Sequence, residues 1–231
     1  MELYRDIDLP EPQIRTIGQM RPVLAEAGCS ASGPLYFMYR NLARTAEDRD
    51  WLTANRIRFD YTVIPPMSVC GEFAKTKGHY HPAAPDGTGY PELYQVLSGR
   101  AEYLLQTRDA ADVIVVRAGP GDAVLVPPGY GHVTINPADT ELCMVNLVSE
   151  EFSSEYAAYE EHRGAAYYHC TDGWIKNPRY PGAGPLTIRD APEFPEAGIV
   201  HGREIYDLIG GDALGYLNDP GNYAALFRTL K

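Results

Sequence analysis

The chain has 231 residues, enough for one ample domain or for one domain with a substantial appendage. A hydrophobic content of 45% fits a globular protein, and a net charge of −11 argues against a nucleic acid or an anionic membrane as partner. No stretch approaches the roughly eighteen unbroken apolar residues that a membrane helix needs, and Met1–Asp6 lacks the basic-then-apolar pattern of a signal peptide, so a cytoplasmic location is expected.

Residues 1–34 mix Pro, Gly and both charges without a period and read as an N-terminal extension wrapping a domain edge. Leu35–Tyr39 reads as a strand. Thr45 with Asp48 three residues later marks a helix start, predicting a short helix over 45–55. From Arg56 the pattern changes to short strands near 57–64, 70–77, 79–81, 91–97, 100–106, 112–117, 122–126, 132–136 and 141–148. Ser98-Gly99 is a hairpin signal and Gly119-Pro120-Gly121-Asp122 another turn. Short strands at this spacing point to a sandwich or barrel rather than a βαβ sheet. A helical stretch (153–162) and a strand (165–170) follow. Asn177–Pro185 is rich in Pro and Gly and reads as a linker, and the tail carries helix-like segments near 202–209 and 221–230. Cys29, Cys70, Cys143 and Cys170 form no CxxC pair and read as separate thiols in a reducing compartment.

The chemistry concentrates on the strand-rich segment. Residues i and i+2 of a strand project from one face, so Gly78-His79-Tyr80-His81 aims both histidines the same way. On the next strand Tyr90, Glu92 and Tyr94 share a face, which sets a carboxylate between tyrosines. A buried carboxylate needs a partner, and a divalent cation held by His79, His81 and Glu92 would supply it. His132, delivered by the turn Pro127-Pro128-Gly129-Tyr130-Gly131, makes three imidazoles and one carboxylate, a donor set that suits a first-row transition metal. His162, His169 and His201 lack ligand spacing, and Glu150-Glu151 and Glu160-Glu161 read as solvated.

These residues resemble a known pattern. Gly121-x5-Pro127-x-Gly129-x2-His132-x3-Asn136 matches the second cupin motif, and His79-x-His81 with Glu92-x6-Gly99 matches the two halves of the first. The stretch between His81 and Glu92 is longer than in ordinary cupins. Within that superfamily the runs Glu72–His81, Glu92–Gly99 and Leu104-Leu105-Gln106, with Leu125–Pro128, Glu155-Tyr156 and Asn177-Pro178-Arg179, resemble the cupin-type phosphoglucose isomerases of archaea and some bacteria.

The resemblance implies an all-β cupin, a jelly-roll (double-stranded β-helix) barrel over 35–180. N-terminal (1–34) and C-terminal (181–231) extensions with short helices would flank it. It further implies a homodimer that interconverts glucose 6-phosphate and fructose 6-phosphate with a bound divalent metal: iron(II), with manganese, nickel or zinc as substitutes. Carried over by position, the metal ligands are His79, His81, Glu92 and His132. The phosphate-binding positions are Thr62, Thr76, Gly78 and Tyr156, while Tyr90 and Tyr94 line the sugar pocket. Glu92 is the strongest candidate base for moving a proton between C1 and C2, and a hydride shift is the other route. A chain of charge −11 repels a phosphate dianion, so local cations such as Lys75 or Lys77 are needed. A cupin of another reaction class, a dioxygenase or a sugar epimerase, and a non-catalytic sugar-binding cupin module are the rival readings.

Overall fold

A computed structural model describes residues 9–228. The reading of Met1–Asp6, like the last residues of the 221–230 segment, lies outside them. The strands are β1 (Gln13–Thr16), β2 (Pro34–Tyr39), β3 (Ile57–Ile64), β4 (Ser68–Val69), β5 (Glu72–Phe73), β6 (Glu92–Ser98), β7 (Ala101–Thr107), β8 (Val113–Ala118), β9 (Ala123–Val126), β10 (Tyr130–Ile135), β11 (Leu142–Ser149), β12 (Tyr167–Cys170), β13 (Gly173–Lys176) and β14 (Leu186–Asp190). The α-helices are α1 (Ile17–Met20), α2 (Ala46–Ala54), α3 (Ala157–Glu161) and α4 (Ala224–Arg228). None is long and apolar enough to cross a membrane.

The strands form a six-stranded sheet ordered β1-β2-β3-β11-β6-β9, a four-stranded sheet β10-β7-β8-β14 and a small sheet β13-β12-β5-β4. The first two face each other across the core, where the rings of Tyr94 on β6 and Tyr103 on β7 meet at 5.2 Å. Val96, Leu105, Val115, Val124, Val126 and Met144 belong to the same apolar cluster. This is the jelly-roll architecture of a cupin. α2 begins as the sequence requires: Thr45 accepts from the Asp48 amide, and the Asp48 carboxylate accepts from the Thr45 amide.

Three expectations change. Ser98-Gly99 is not a hairpin, because β6 pairs with β11 and β9 while β7 pairs with β10 and β8. Gly99 instead turns a corner between the sheets: its φ is +81°, and a Cβ there would lie 2.4 Å from the Glu141 carbonyl oxygen. Both strands are buried on both faces, so the partner is chosen by the barrel and not by the shortness of the turn.

Cys29 and Cys70 are not separate thiols. The chain leading into β2 lies over the β4–β5 turn and joins them in a disulfide across 41 residues of sequence. Cys143 and Cys170 are free. Finally, Asn177–Pro185 is docked and not a free linker. Asn177 and Tyr180 are buried, and β14 then pairs in parallel with β8.

Residues beyond β14 cover the outer face of the six-stranded sheet. Ile205, Tyr206, Leu208, Tyr216, Leu217 and Phe227 pack with Phe59, Leu93, Val145 and Leu147, which point away from the barrel interior. The His81–Glu92 insert closes on itself through the Ala84 amide and the Thr88 carbonyl. The tail braces it, since a Cβ on Gly221 would lie 1.9 Å from the Asp86 carboxylate.

Candidate metal centre and substrate cavity

His79 and His132 form an antiparallel bridge pair, which sets their rings face to edge with centroids 4.4 Å apart. On the other side Tyr80 bridges Glu155, so the 79–81 segment is held extended from both flanks. His79 and His81 therefore project together while Tyr80 is buried against Tyr159. Glu92 opens β6 between Val126 of β9 and Val148 of β11. One ligand atom from each of His79, His81, Glu92 and His132 can be chosen so that all lie within 4.8 Å of one another.

The hydrogen bonds show that this cluster fits a cation. His81 Nδ1 meets the Tyr90 carbonyl at 2.9 Å, and His79 Nδ1 meets the Lys77 carbonyl at 3.3 Å. A carbonyl only accepts, so each Nδ1 carries its ring's proton and each Nε2 of a neutral ring presents a lone pair. These two Nε2 atoms face each other at 3.2 Å. Two lone pairs at that distance repel unless something positive lies between them. Glu92 Oε2 lies 3.3 Å from His81 Nε2 and 3.2 Å from His132 Nε2. His132 Nδ1 is buried without a partner. Burial, reinforced by the neighbouring imidazoles, holds His79 well below the ordinary imidazole range, and burial lowers His132 as well. Burial alone would raise Glu92, but its contacts with the His132 and His81 rings hold it well below the usual carboxylate range. Neutral imidazoles beside an ionised carboxylate are the protonation states that metal ligation requires.

Next to the cluster is a cavity of about 270 Å³. His79, His81, Glu92 and Tyr94 form one part of its lining; Thr62, Thr76, Tyr156 and four cations, Arg15, Arg40, Arg58 and Lys77, form another. Gly78 and Tyr90 are not among the lining residues. Gly78 must be glycine for packing, because a Cβ there would lie 2.3 Å from the Tyr159 ring. Tyr90 stacks on Phe152, which does line the cavity, and its carbonyl orients His81. The Tyr94 hydroxyl is 3.0 Å from His132 Nε2, and burial together with the Glu92 charge keeps it protonated. Lys75 does not face the cavity. It is buried, pairs with Glu72 and donates to the Val23 carbonyl.

Several site residues carried no motif. Asn146 on β11 donates to Glu92 Oε1 at 2.8 Å. Asp60, fully buried on β3, holds both Arg40 and Arg58. The signal for the second group was present: Arg58, Asp60 and Thr62 alternate with Ile57, Phe59 and Tyr61, which places a polar stripe on one face of a buried strand.

The family model described as glucose-6-phosphate isomerase (GPI) matches residues 18–182. The chain belongs to that family. Glucose-6-phosphate isomerases similar to it include those of Thermococcus kodakarensis (32% identical over 127 residues), Thermococcus litoralis (33% over 105) and Pyrococcus furiosus (32% over 127). These matches cover 54, 46 and 54% of this chain and 65, 53 and 65% of the relatives. The chain thus spans less than two thirds of the length of the relatives it matches. Among solved structures, Peruvianin-I, a cysteine peptidase from Thevetia peruviana latex, matches at 18% identity and TM-score 0.40, covering 53% of this chain and 66% of that one. Bacillus subtilis oxalate decarboxylase matches at 19% identity and TM-score 0.39, covering 53% and 28%. Likeness at that level says nothing about activity.

Proposed function

We propose that this chain interconverts glucose 6-phosphate and fructose 6-phosphate in the cytoplasm, as a homodimer, with a divalent metal held by His79, His81, Glu92 and His132. Iron(II) is the metal we assign, with manganese, nickel and zinc as substitutes. The observation that carries this reading is the pair of mutually facing imidazole Nε2 atoms beside Glu92, opening onto a cavity whose other lining groups are hydroxyls and cations.

When bound, the metal supplies Lewis-acid polarisation of the sugar's oxygens. The protein's own groups do the rest. Carbonyls of Lys77 and Tyr90 fix two imidazoles. Asn146 fixes Glu92, the group we assign to proton transfer between C1 and C2. Tyr94 offers a hydroxyl donor beside them. Thr62, Thr76 and Tyr156 bind the phosphate, with the Gly78 backbone shaping the strand that presents Thr76. The Thr76 hydroxyl already accepts from the Thr134 amide at 2.9 Å, which leaves its own proton to donate to an anion. Tyr90, through Phe152, shapes the wall of the sugar site.

The test is a coupled assay with fructose 6-phosphate. Protein stripped with EDTA should lose turnover and regain it with iron(II) or manganese. Absence of turnover with every metal tried would refute the assignment.

A further inference from the structure

We propose that Arg15, on the N-terminal extension outside the family-matched segment, is a phosphate-binding residue of this cavity and closes its anion site from the edge of the sheet. The inference rests on the sugar-phosphate reading above and adds a residue to it. Four cations line the cavity, and three have carboxylate partners: Arg40 and Arg58 share Asp60, and Lys77 pairs with Glu160. Arg15 has no carboxylate partner among the described residues, and its Nε is buried with no hydrogen-bond partner.

Its position is built and not incidental. β1 is the edge strand of the six-stranded sheet, and its register with β2 slips between Arg15 and Thr16. A bulge at a sheet edge redirects the side chain beside it. Arg15 pairs there with Tyr36, another cavity residue, and its charge lies near that residue's hydroxyl. That hydroxyl accepts from the Lys77 amide at 3.2 Å. The guanidinium carbon lies 5.9 Å from the Tyr156 ring centroid, which places the charge beside the residue assigned to the phosphate. Immediately downstream the chain is anchored: Thr16 caps α1, Glu72 accepts from the Ala25 amide, Lys75 donates to the Val23 carbonyl, and Cys29 is bonded to Cys70. A planar fork of donors with a desolvated, unsatisfied N–H is suited to a phosphate dianion. It also answers how a chain of net charge −11 attracts one.

The experiment compares wild type, Arg15→Met and Arg15→Lys, each loaded with manganese. Calorimetric titration with sorbitol 6-phosphate, which cannot isomerise, reads binding, and the fructose 6-phosphate assay reads KM and kcat. Methionine keeps the apolar stem and loses the charge, while lysine keeps the charge and loses the fork. Loss of one charge-assisted contact predicts sorbitol 6-phosphate affinity down about 10- to 100-fold in Arg15→Met, with Arg15→Lys in between. KM should rise by a similar factor and kcat should change much less. A folded Arg15→Met with wild-type affinity overturns the proposal. If that variant does not fold, wild-type affinity in Arg15→Lys does the same. Wild type that binds sorbitol 6-phosphate without turning over fructose 6-phosphate would sink the isomerase reading and leave Arg15 standing. No binding by wild type overturns both.

Discussion

Asn146→Ala isolates how much the protein's support of Glu92 contributes to the metal site. Asn146 and Glu92 are both buried, 2% and 4% exposed, and their hydrogen bond is 2.8 Å long. Oε2 faces the two imidazoles, and the Tyr94 hydroxyl lies against the same carboxylate. The substitution therefore removes one donor from a buried carboxylate and loosens its rotamer. A hydrogen bond to a charged group contributes about 1.5–3 kcal/mol, which at about 1.4 kcal/mol per decade corresponds to roughly 10- to 150-fold in affinity. Losses of about 10- to 100-fold are typical when a group that orients a metal ligand is removed. The assay is competition for manganese or zinc against a chromophoric chelator at fixed pH, with circular dichroism to show that the variant is folded. Folded Asn146→Ala with a metal affinity within twofold of wild type would refute the reasoning.

The disulfide and the tail yield two further expectations. Thiol titration of the non-reduced, denatured protein should count two thiols, Cys143 and Cys170. Cys70→Ala should cost about 4 kcal/mol in denaturant unfolding, the loop-closure value for a bridge spanning 41 residues; four thiols, or unchanged stability, would contradict this. Truncation at Pro185 should expose Phe59, Leu93, Val145 and Leu147 and remove partners such as Tyr216 and Leu217. At about 1.5–3 kcal/mol per buried large side chain, the truncated chain should be insoluble or melt far below the parent. A truncate with an unchanged melting temperature would show that the sheet does not need its cover.

The cluster of three histidines and Glu92 was the most legible part of the molecule because each member obeys a local rule. His79 and His81 follow strand alternation, and His132 follows a proline-rich turn. Glu92, despite its distance from His81, comes to lie beside the three histidines because the intervening insert closes on itself and leaves the strand faces unshifted. What stayed hidden depends on pairings distant in sequence. Asn146 matters only because β11 lies beside β6, placing it opposite Tyr94, and nothing in Val145-Asn146-Leu147 marks it. The Cys29–Cys70 bond requires knowing where the strap before β2 lies. Lys75 and Lys77 share a strand-like face in the sequence, yet a buried Glu72 claims the first, leaving the second for the cavity. Ser98-Gly99 misled because turn chemistry specifies a reversal of the chain but not which strand pairs with which.

The engagement of Glu92 bears on how it can serve as a base. Oε2 lies between His81 and His132, and Oε1 accepts from Asn146, so neither oxygen is free to meet a sugar carbon. Among the described residues lining the cavity, Tyr94 is the next titratable group beside this cluster. Burial and the Glu92 charge keep its proton in place, which suits it to donate and not to abstract. A proton route through Glu92 therefore requires one of its contacts to open, and the bond to Asn146, unlike the contacts that Oε2 makes, does not involve a second candidate metal ligand. This sets a sign on kcat that is independent of metal affinity. At saturating metal, Asn146→Ala should match or exceed the wild-type kcat if release of Oε1 limits proton transfer. If kcat instead falls in step with metal affinity, the Asn146 bond is intact when the substrate reacts, and Glu92 acts by holding the site together.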